Sequence, residues 1–503
     1  MSSPKGEWLL LLLLPFLLAL AYSNSLTNGW HFDDIPTILE NEHIRSLRNT
    51  PSFFTDPQTF SGRQSAKAMY RPLLLLSYAL TYTFAQYDLT FWHLTQLLLH
   101  LICGVLVYLW VRQLLVCQRT SLFCAAIFLL HPIQSQAVNY LSSRSEILVT
   151  LFYLLSLICW LHYRTVAKTS FWRTLSLLAF ACGLLTKSIA ITLPIVITLW
   201  EWWLCPIAEK PKVRLKRLAP FFVLIILFLI LRFLVVGALL FPGGEQKAGL
   251  IKLAQDSELP QNLHYIGGRS FLTNLKMQGL AFWSYLRLLF WPRGLSIIHD
   301  VNPQTSAWPL MAATGFLLLL VFLRKKAPLV SFGGLFFIVV LSPTSLIPMN
   351  LTMNEHRVYL ALLGILIPFA HRLFAQKRLS PLYPAIVLVL LCTFLTRARN
   401  PYWANSVALF GQAVKVAPRS RFVHYEYGYA LLKEGFVEEA VKELEKEAQL
   451  FPNQKSAFWA ALGKLNLRLS KKIKAKQCLE RALAKDRNCP LAASLAQKLA
   501  KAQ

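Results

Sequence analysis

"PFFVLIILFLILRFLVVGALLF", Pro220 to Phe241, is the stretch that decides what kind of fold this chain can adopt. It exceeds the roughly 20 residues a helix needs to cross a bilayer, and its apolar residues run on without a polar stripe. "WLLLLLLPFLLALAY" (8–22) and "PLYPAIVLVLLCTFL" (381–395) have the same character. Across 503 residues, 55% are hydrophobic and the mean hydropathy is +0.46. The chain therefore reads as an all-α, polytopic helical membrane protein. A β-barrel would show short alternating strands, and none appear.

Working outward, apolar segments lie at roughly 7–27, 91–115, 119–135, 145–163, 171–187 and 189–205. Others follow at 217–240, 275–291, 306–323, 329–347, 357–375 and 381–397, which gives about 11–13 expected spans. The segment 72–86 is short enough to lie in the interface. The first run, after Lys5, has the outline of a signal peptide ending near "AYSNS", but the many spans after it favour an uncleaved first helix. The net charge of +28 does not point to nucleic acid, because the basic residues cluster in short loops between apolar runs. Arg112 with Arg119, then Arg164, Lys168 and Arg173, then "KPKVRLKR" (210–217), "RKK" (324–326) and "HRLFAQKR" (371–378) mark cytoplasmic loops. The first outer loop, 28–90, then lies outside, with the segments around His131 to Arg144 and "NEHR" (354–357). The count fails to close around 217–291, where a re-entrant segment or a span hidden in 241–275 would be needed. Of nine cysteines, seven lie in or beside apolar runs, and no zinc spacing occurs.

After Thr396 the composition changes to Ala, Leu, Lys and Glu, with a 34- to 35-residue echo. Gly428 precedes Ala440 by 12 residues, as Gly463 precedes Ala475, and Pro418 and Pro452 are 34 apart. Small residues where paired helices cross are the mark of tetratricopeptide repeats. A leading helix near 401–417 and repeats at about 421–454 and 456–488 are expected. The organisation is thus a transmembrane domain over 1–397 and a repeat domain over 398–503.

Only 15 of the first 398 residues are acidic, yet "WHFDDIPTILEN" places Asp33 and Asp34 side by side just after the first span. Such a pair can cap a helix led by Pro36. It can also take a proton from an acceptor hydroxyl, or hold a divalent metal. Other polar clusters fall on the same expected side. Arg71 opens "YRPLLLLSYAL"; His131, Asn139, Arg144 and Glu146 share "HPIQSQAVNYLSSRSE"; Lys187 lies in "LLTKSIA"; Glu355, His356 and Arg357 lie in "NEHRVYL". An arginine at a helix end is usually an anchor, but it is also the residue for gripping phosphate. Glu146 and Glu355 would partner these cations.

Taken in order, "WHFDDIPTILEN", "YRPLLLLSYAL", "HPIQSQAVNYLSSRSEILVTLF", "GLLTKSIAITLP" and "NEHRVYLALLGI", followed by the repeats, resemble the transmembrane and tetratricopeptide-repeat O-mannosyltransferases and their prokaryotic relatives. The resemblance covers nearly the whole chain. It implies a C-type glycosyltransferase fold, in which an acidic motif of the first outer loop serves the acceptor and basic residues hold a polyprenyl-phosphate (dolichyl or undecaprenyl) sugar. Asp33 and Asp34 match the acidic motif, with Asp33 leading. Arg71, His131, Arg144, Glu146, Lys187, Glu355 and Arg357 would bind substrate. The implied activity is inverting transfer of a sugar, mannose favoured, to a hydroxyl of an exported protein or glycan. The implied site is the plasma membrane of a prokaryote or the endoplasmic reticulum of a eukaryote, with the repeats outside or in the lumen. The chain departs from the family in having few repeats, about two and a half. A scaffold that only recruits partners would not need polar clusters on one side. A transporter would need acidic residues inside its spans, and these are almost missing.

Overall fold

The computed structural model describes residues 12–63, 69–237, 270–301, 306–347, 349, 351–375 and 382–501. Most of the segment 241–275, where a hidden span would lie, is outside the described residues, as is the start of the 7–27 segment. The described residues fall into two compact units. The first lies within Met1–Pro242, Ser270–Leu295 and Val301–Ala404, the second within Ser296–Asp300 and Asn405–Gln503.

Helices of ten residues or more in the first unit are α1 (Leu13–Tyr22), α2 (Pro72–Ala85), α3 (Leu89–Leu115), α4 (Gln118–Leu130) and α5 (Arg144–Thr165). They continue with α6 (Ser170–Leu184), α7 (Leu193–Trp203), α8 (Pro211–Val236) and α9 (Phe271–Phe290). The last are α10 (Trp308–Leu323), α11 (Pro328–Leu346), α12 (Val358–Ala375) and α13 (Leu382–Arg399). No strand occurs among the described residues. Helix starts follow local chemistry: Pro72, Pro211 and Pro328 sit in first turns, where a missing N–H costs nothing. The Asp88 carboxylate accepts from the Phe91 N–H to begin α3.

Six of these stretches are long and apolar enough to cross a membrane: Leu89–Leu115, Leu141–Thr165, Pro211–Val236, Pro328–Leu346, Glu355–Ala375 and Leu382–Trp403. A seventh is the pair Gln118–Leu130 and Pro132–Asn139, bent by 46° where Pro132 interrupts the helix. The other expected spans fall mostly on shorter apolar helices of 10–17 residues. One of them, 189–205, begins as a 3-10 turn (Ser188–Thr192) before α7. The chain is an integral, multi-pass membrane protein.

Without a hydrophobic driving force in lipid, helices associate through small residues and interhelical hydrogen bonds. Both devices are present. Ser156 Oγ on α5 donates to the Ser176 carbonyl of α6 at 2.7 Å, and Ser176 Oγ returns a bond to the Ser156 carbonyl at 2.8 Å. α11 and α12 cross where Gly333 meets Gly364; a Cβ on Gly364 would run into the Gly333 carbonyl oxygen and come within 2.8 Å of the Phe337 nitrogen. Gly364→Ala should therefore cost about 1–3 kcal/mol by overpacking, seen as a lower thermal midpoint in detergent. Gly315→Ala on α10 has open space around its Cβ and should show no loss.

The second unit contains α14 (Ser406–Val416), α15 (Arg421–Lys433), α16 (Val437–Leu450), α17 (Ser456–Arg468), α18 (Lys472–Lys485) and α19 (Pro490–Lys501). Its helices pair with a 35-residue period. A Cβ on Gly428 would meet Leu444 at 2.9 Å and the Ala440 carbonyl at 3.4 Å; one on Gly463 would meet Leu479 at 2.9 Å and the Ala475 carbonyl at 3.4 Å. Equal contacts at equal offsets mean that one helical hairpin is built twice.

Candidate functional site

The first loop is fastened before it reaches its aspartates. Asn28 Nδ2 donates to Asn139 Oδ1 at 2.9 Å and to the Asn400 carbonyl at 3.2 Å. Asn139 Nδ2 donates to Asn400 Oδ1 at 3.0 Å, and Asn400 Nδ2 to the Ala21 carbonyl at 2.8 Å. Carboxamides can chain in this way because each carries both donors and acceptors. All three are buried. His31 then docks against Trp403, its Nε2 2.6 Å from the Trp403 carbonyl.

Phe32 follows with φ of +47°, a left-handed conformation that costs a non-glycine residue on the order of 1–2 kcal/mol. That turn separates the two aspartates by environment. Asp34 is fully buried: Oδ1 accepts from the Ser142 N–H and hydroxyl, both at 2.6 Å, and Oδ2 from the His31 N–H at 3.0 Å. Burial pushes its carboxyl up to about 7 against the pull of those donors. It makes no side-chain cap to the single π-helical turn Ile35–Leu39, so the expected capping role is not seen. Asp33 is exposed, recessed among protein groups that still raise its carboxyl by burial, opposed by the Tyr140 hydroxyl and the Arg71 charge. Tyr140 also accepts from the Asp33 N–H at 3.0 Å, and its ring stacks on Trp403.

Arg71 acts on Asp33 through charge and leads into a group of cations. Arg71 is half-buried, close enough to Asp33 to interact through charge but without an ion pair to it. Its Nη1 donates to Ser145 Oγ at 3.4 Å, and Lys187 Nζ donates to the same oxygen at 3.3 Å. Lys187 pairs with buried Glu146 at 2.6 Å. Burial holds its ammonium down at about 8 despite that partner. His356 Nε2 lies 4.0 Å from Glu146, while its buried Nδ1 has no hydrogen-bond partner. Arg357 is buried, with its terminal nitrogens donating to the Leu351 and Thr352 carbonyls, each at 2.9 Å. It adds charge to the Lys187 neighbourhood without reaching out.

Three residues expected to bind substrate are engaged elsewhere. The fully buried Arg144 donates to Gln96 Oε1 at 3.0 Å and Thr81 Oγ1 at 2.8 Å, and its guanidinium lies over the rings of Tyr78 and Trp92. It anchors the turn that carries Ser142. His131 accepts from the Ile133 N–H at 3.2 Å and sits 3.0 Å from the Leu289 carbonyl, tying α4 to α9. Glu355 is fully buried and pairs with Arg399 at 2.7 Å. A metal shared by Asp33 and Asp34 does not fit: three donors occupy most of the roughly four acceptor positions of the Asp34 carboxylate. No group of three His, Cys, Asp or Glu side chains gathers as a metal site among the described residues.

Sequence reasoning passed over Tyr140 and Ser142, which hold the aspartates, and Arg399, the partner of Glu355. It also passed over Arg232, which stands in α8 near enough to Arg71 for their charges to interact. A lone arginine inside an apolar span was the available signal for it.

Fold and site together define a class: a polytopic, all-α membrane protein whose first loop presents a carboxylate to a cluster of cations. Residues 69–242 match the family of dolichyl-phosphate-mannose-protein mannosyltransferases. The chain is 24% identical to protein O-mannosyl-transferase TMTC3 of Mus musculus over 519 residues, covering 92% of this chain and 54% of that protein. Against human protein O-mannosyl-transferase TMTC1 the identity is 23%, covering 87% and 55%. Against Tmtc2 of Drosophila melanogaster it is 32% over 196 residues, covering 36% and 20%. The chain is thus similar to the protein O-mannosyl-transferases, and it spans about half the length of TMTC3 and TMTC1. Among solved structures, the apo oligosaccharyltransferase of Archaeoglobus fulgidus is similar with a TM-score of 0.44 and 10% identity, covering 79% of this chain and 56% of that one.

Proposed function

We propose that this chain is an integral-membrane inverting glycosyltransferase that moves a sugar, with mannose favoured, from a polyprenyl-phosphate donor to a hydroxyl of an exported protein or glycan. The observation that carries this reading is the exposed Asp33 carboxylate within charge reach of Arg71, which makes no ion pair to it and shares Ser145 Oγ with Lys187. In this mechanism Asp33 accepts the proton of the acceptor hydroxyl as its oxygen attacks the anomeric carbon. The bond from that carbon to the phosphate oxygen breaks, and its electron pair leaves with the polyprenyl phosphate. Arg71 and Lys187 hold that phosphate and stabilise the charge that builds on it, with Arg357 adding to the field. The unpartnered His356 Nδ1 is a further group available to a bound donor. Asp34 is a positioning residue that fixes the loop so that Asp33 lies within charge reach of Arg71. The transferase domain is assigned to 1–397, and the repeats of 398–503, on the outer or lumenal side, would receive the acceptor. The test is transfer of labelled mannose from a polyprenyl-phosphate mannose to an acceptor polypeptide by the purified chain. Absence of transfer across donors and acceptors would leave the scaffold reading.

The site also sets an expected pH dependence. Asp33 must be unprotonated to act as a base, so kcat/KM should rise along a limb displaced above the ordinary carboxylate range. Lys187 must be protonated to hold phosphate, so activity should fall as pH passes about 8. Arginine stays charged throughout this range, so Lys187→Arg should flatten the alkaline limb while keeping the acid one.

A further inference from the structure

Along α6 from Thr174 to Ala181, a groove of about 500 Å³ opens between α6 and α8. Thr174, Leu177, Leu178 and Ala181 form one wall, and Ala219, Pro220, Val223 and Leu224 the other, with Lys216 at its edge. The groove is held open by the way the two helices meet. On the adjoining face of α8, the Phe221 ring packs against Phe180 (5.4 Å) and Trp160 (5.3 Å), which fixes the helix there. Pro220 has no N–H to give the Lys216 carbonyl, so that carbonyl lacks its helical bond.

The basic run 210–217 is sorted by residue type. Its arginines turn inward: Arg217 donates to Glu209 at 2.7 and 3.1 Å, and Arg214 to the carbonyls of Glu201 and Ile207. The same network holds buried Arg164 against Glu201 at 2.6 Å. The lysines Lys210, Lys212 and Lys216 are exposed, and Lys216 has no ion pair among the described residues. An apolar channel on a membrane span, with an unpaired ammonium, a free carbonyl and the Thr174 hydroxyl near one end, matches a molecule with an acyl chain and an anionic head. Basic pockets between spans recognise such lipids through charge and hydrogen bonds together.

We propose that the α6–α8 groove binds one anionic phospholipid, its acyl chain along Leu177, Ala181 and Val223 and its phosphate on Lys216. This site is independent of the transferase reading. The test is native mass spectrometry of the delipidated full chain in detergent, given phosphatidylglycerol and phosphatidylcholine in equal amounts. Retention of phosphatidylglycerol should exceed that of phosphatidylcholine about fivefold, as expected for one lysine acting on a lipid of net negative charge rather than a zwitterionic one. Lys216→Gln should bring the ratio close to one. Ala219→Phe, which fills the groove and leaves the charge, should remove the bound lipid. Lys212→Gln should leave the ratio unchanged, because Lys212 is exposed outside the groove. A ratio near one in the unaltered chain would overturn the site. So would equal losses from Lys212→Gln and Lys216→Gln, which would mean diffuse attraction. Displacement of phosphatidylglycerol by an equal amount of polyprenyl phosphate would assign the groove to that lipid and also contradict the proposal.

Discussion

Asp33→Asn should fold and insert normally yet lose sugar transfer by about 10²–10⁴-fold, the usual contribution of a positioned general base. The variant should still bind a polyprenyl-phosphate sugar, since Arg71 and Lys187 are untouched. Asp34→Asn should behave differently. Its amide nitrogen would have to face either the His31 N–H or the two Ser142 donors, leaving a buried donor unsatisfied at a cost of about 1–3 kcal/mol. Its activity loss should therefore track a lowered thermal midpoint, whereas that of Asp33→Asn should not. Transfer assays alongside thermal unfolding separate the two carboxylates. Full activity in Asp33→Asn would leave the cleft without a catalytic base.

Arg144→Met should be among the most destabilising substitutions in the first unit, on the order of 3–5 kcal/mol. Removing the guanidinium strands Gln96 Oε1 inside the bundle, at about 1–3 kcal/mol for a buried group left unsatisfied, and takes one of the two partners of Thr81 Oγ1, which keeps its bond to the Ser77 carbonyl. It also removes the cation stacked between Tyr78 and Trp92. Arg71→Met provides the contrast. Its contacts are one long bond to Ser145 and a place over the Phe60 ring at 5.7 Å, each contributing little, so stability should hold while donor binding weakens. Unfolding midpoints and donor affinities of the two variants decide which arginine supports the fold and which meets the ligand. Equal midpoints would contradict the structural role of Arg144.

What could be read from the sequence followed the strength of the local signal. The α8 run is legible because twenty-odd apolar residues have no soluble alternative. The paired hairpins of the second unit are legible because Gly428 and Gly463 recur with small partners at a fixed offset. Asp33 stood out because acids are rare in its surroundings. The orientation of a charged side chain leaves no such trace. Arg144 and Arg71 look alike in sequence, both beside apolar helices, yet one is enclosed by Tyr78 and Trp92 and the other half-open. The Glu355–Arg399 pair joins residues 44 positions apart and depends on how α12 and α13 pack, which no local pattern encodes. Helix length was legible only in part. The breaks before Pro132 and at Ser188–Thr192 turn continuous apolar sequence into shorter helices.

In the proposed mechanism one cleft holds a lipid-linked phosphate beside an accessible carboxylate. An experimental structure of the full chain with bound polyprenyl phosphate tests it most directly. The phosphate should lie within hydrogen-bond distance of Arg71 and Lys187, with Asp33 facing the oxygen that would carry the sugar. A phosphate bound away from Arg71 and Lys187, with Asp33 open only to water, would contradict the account.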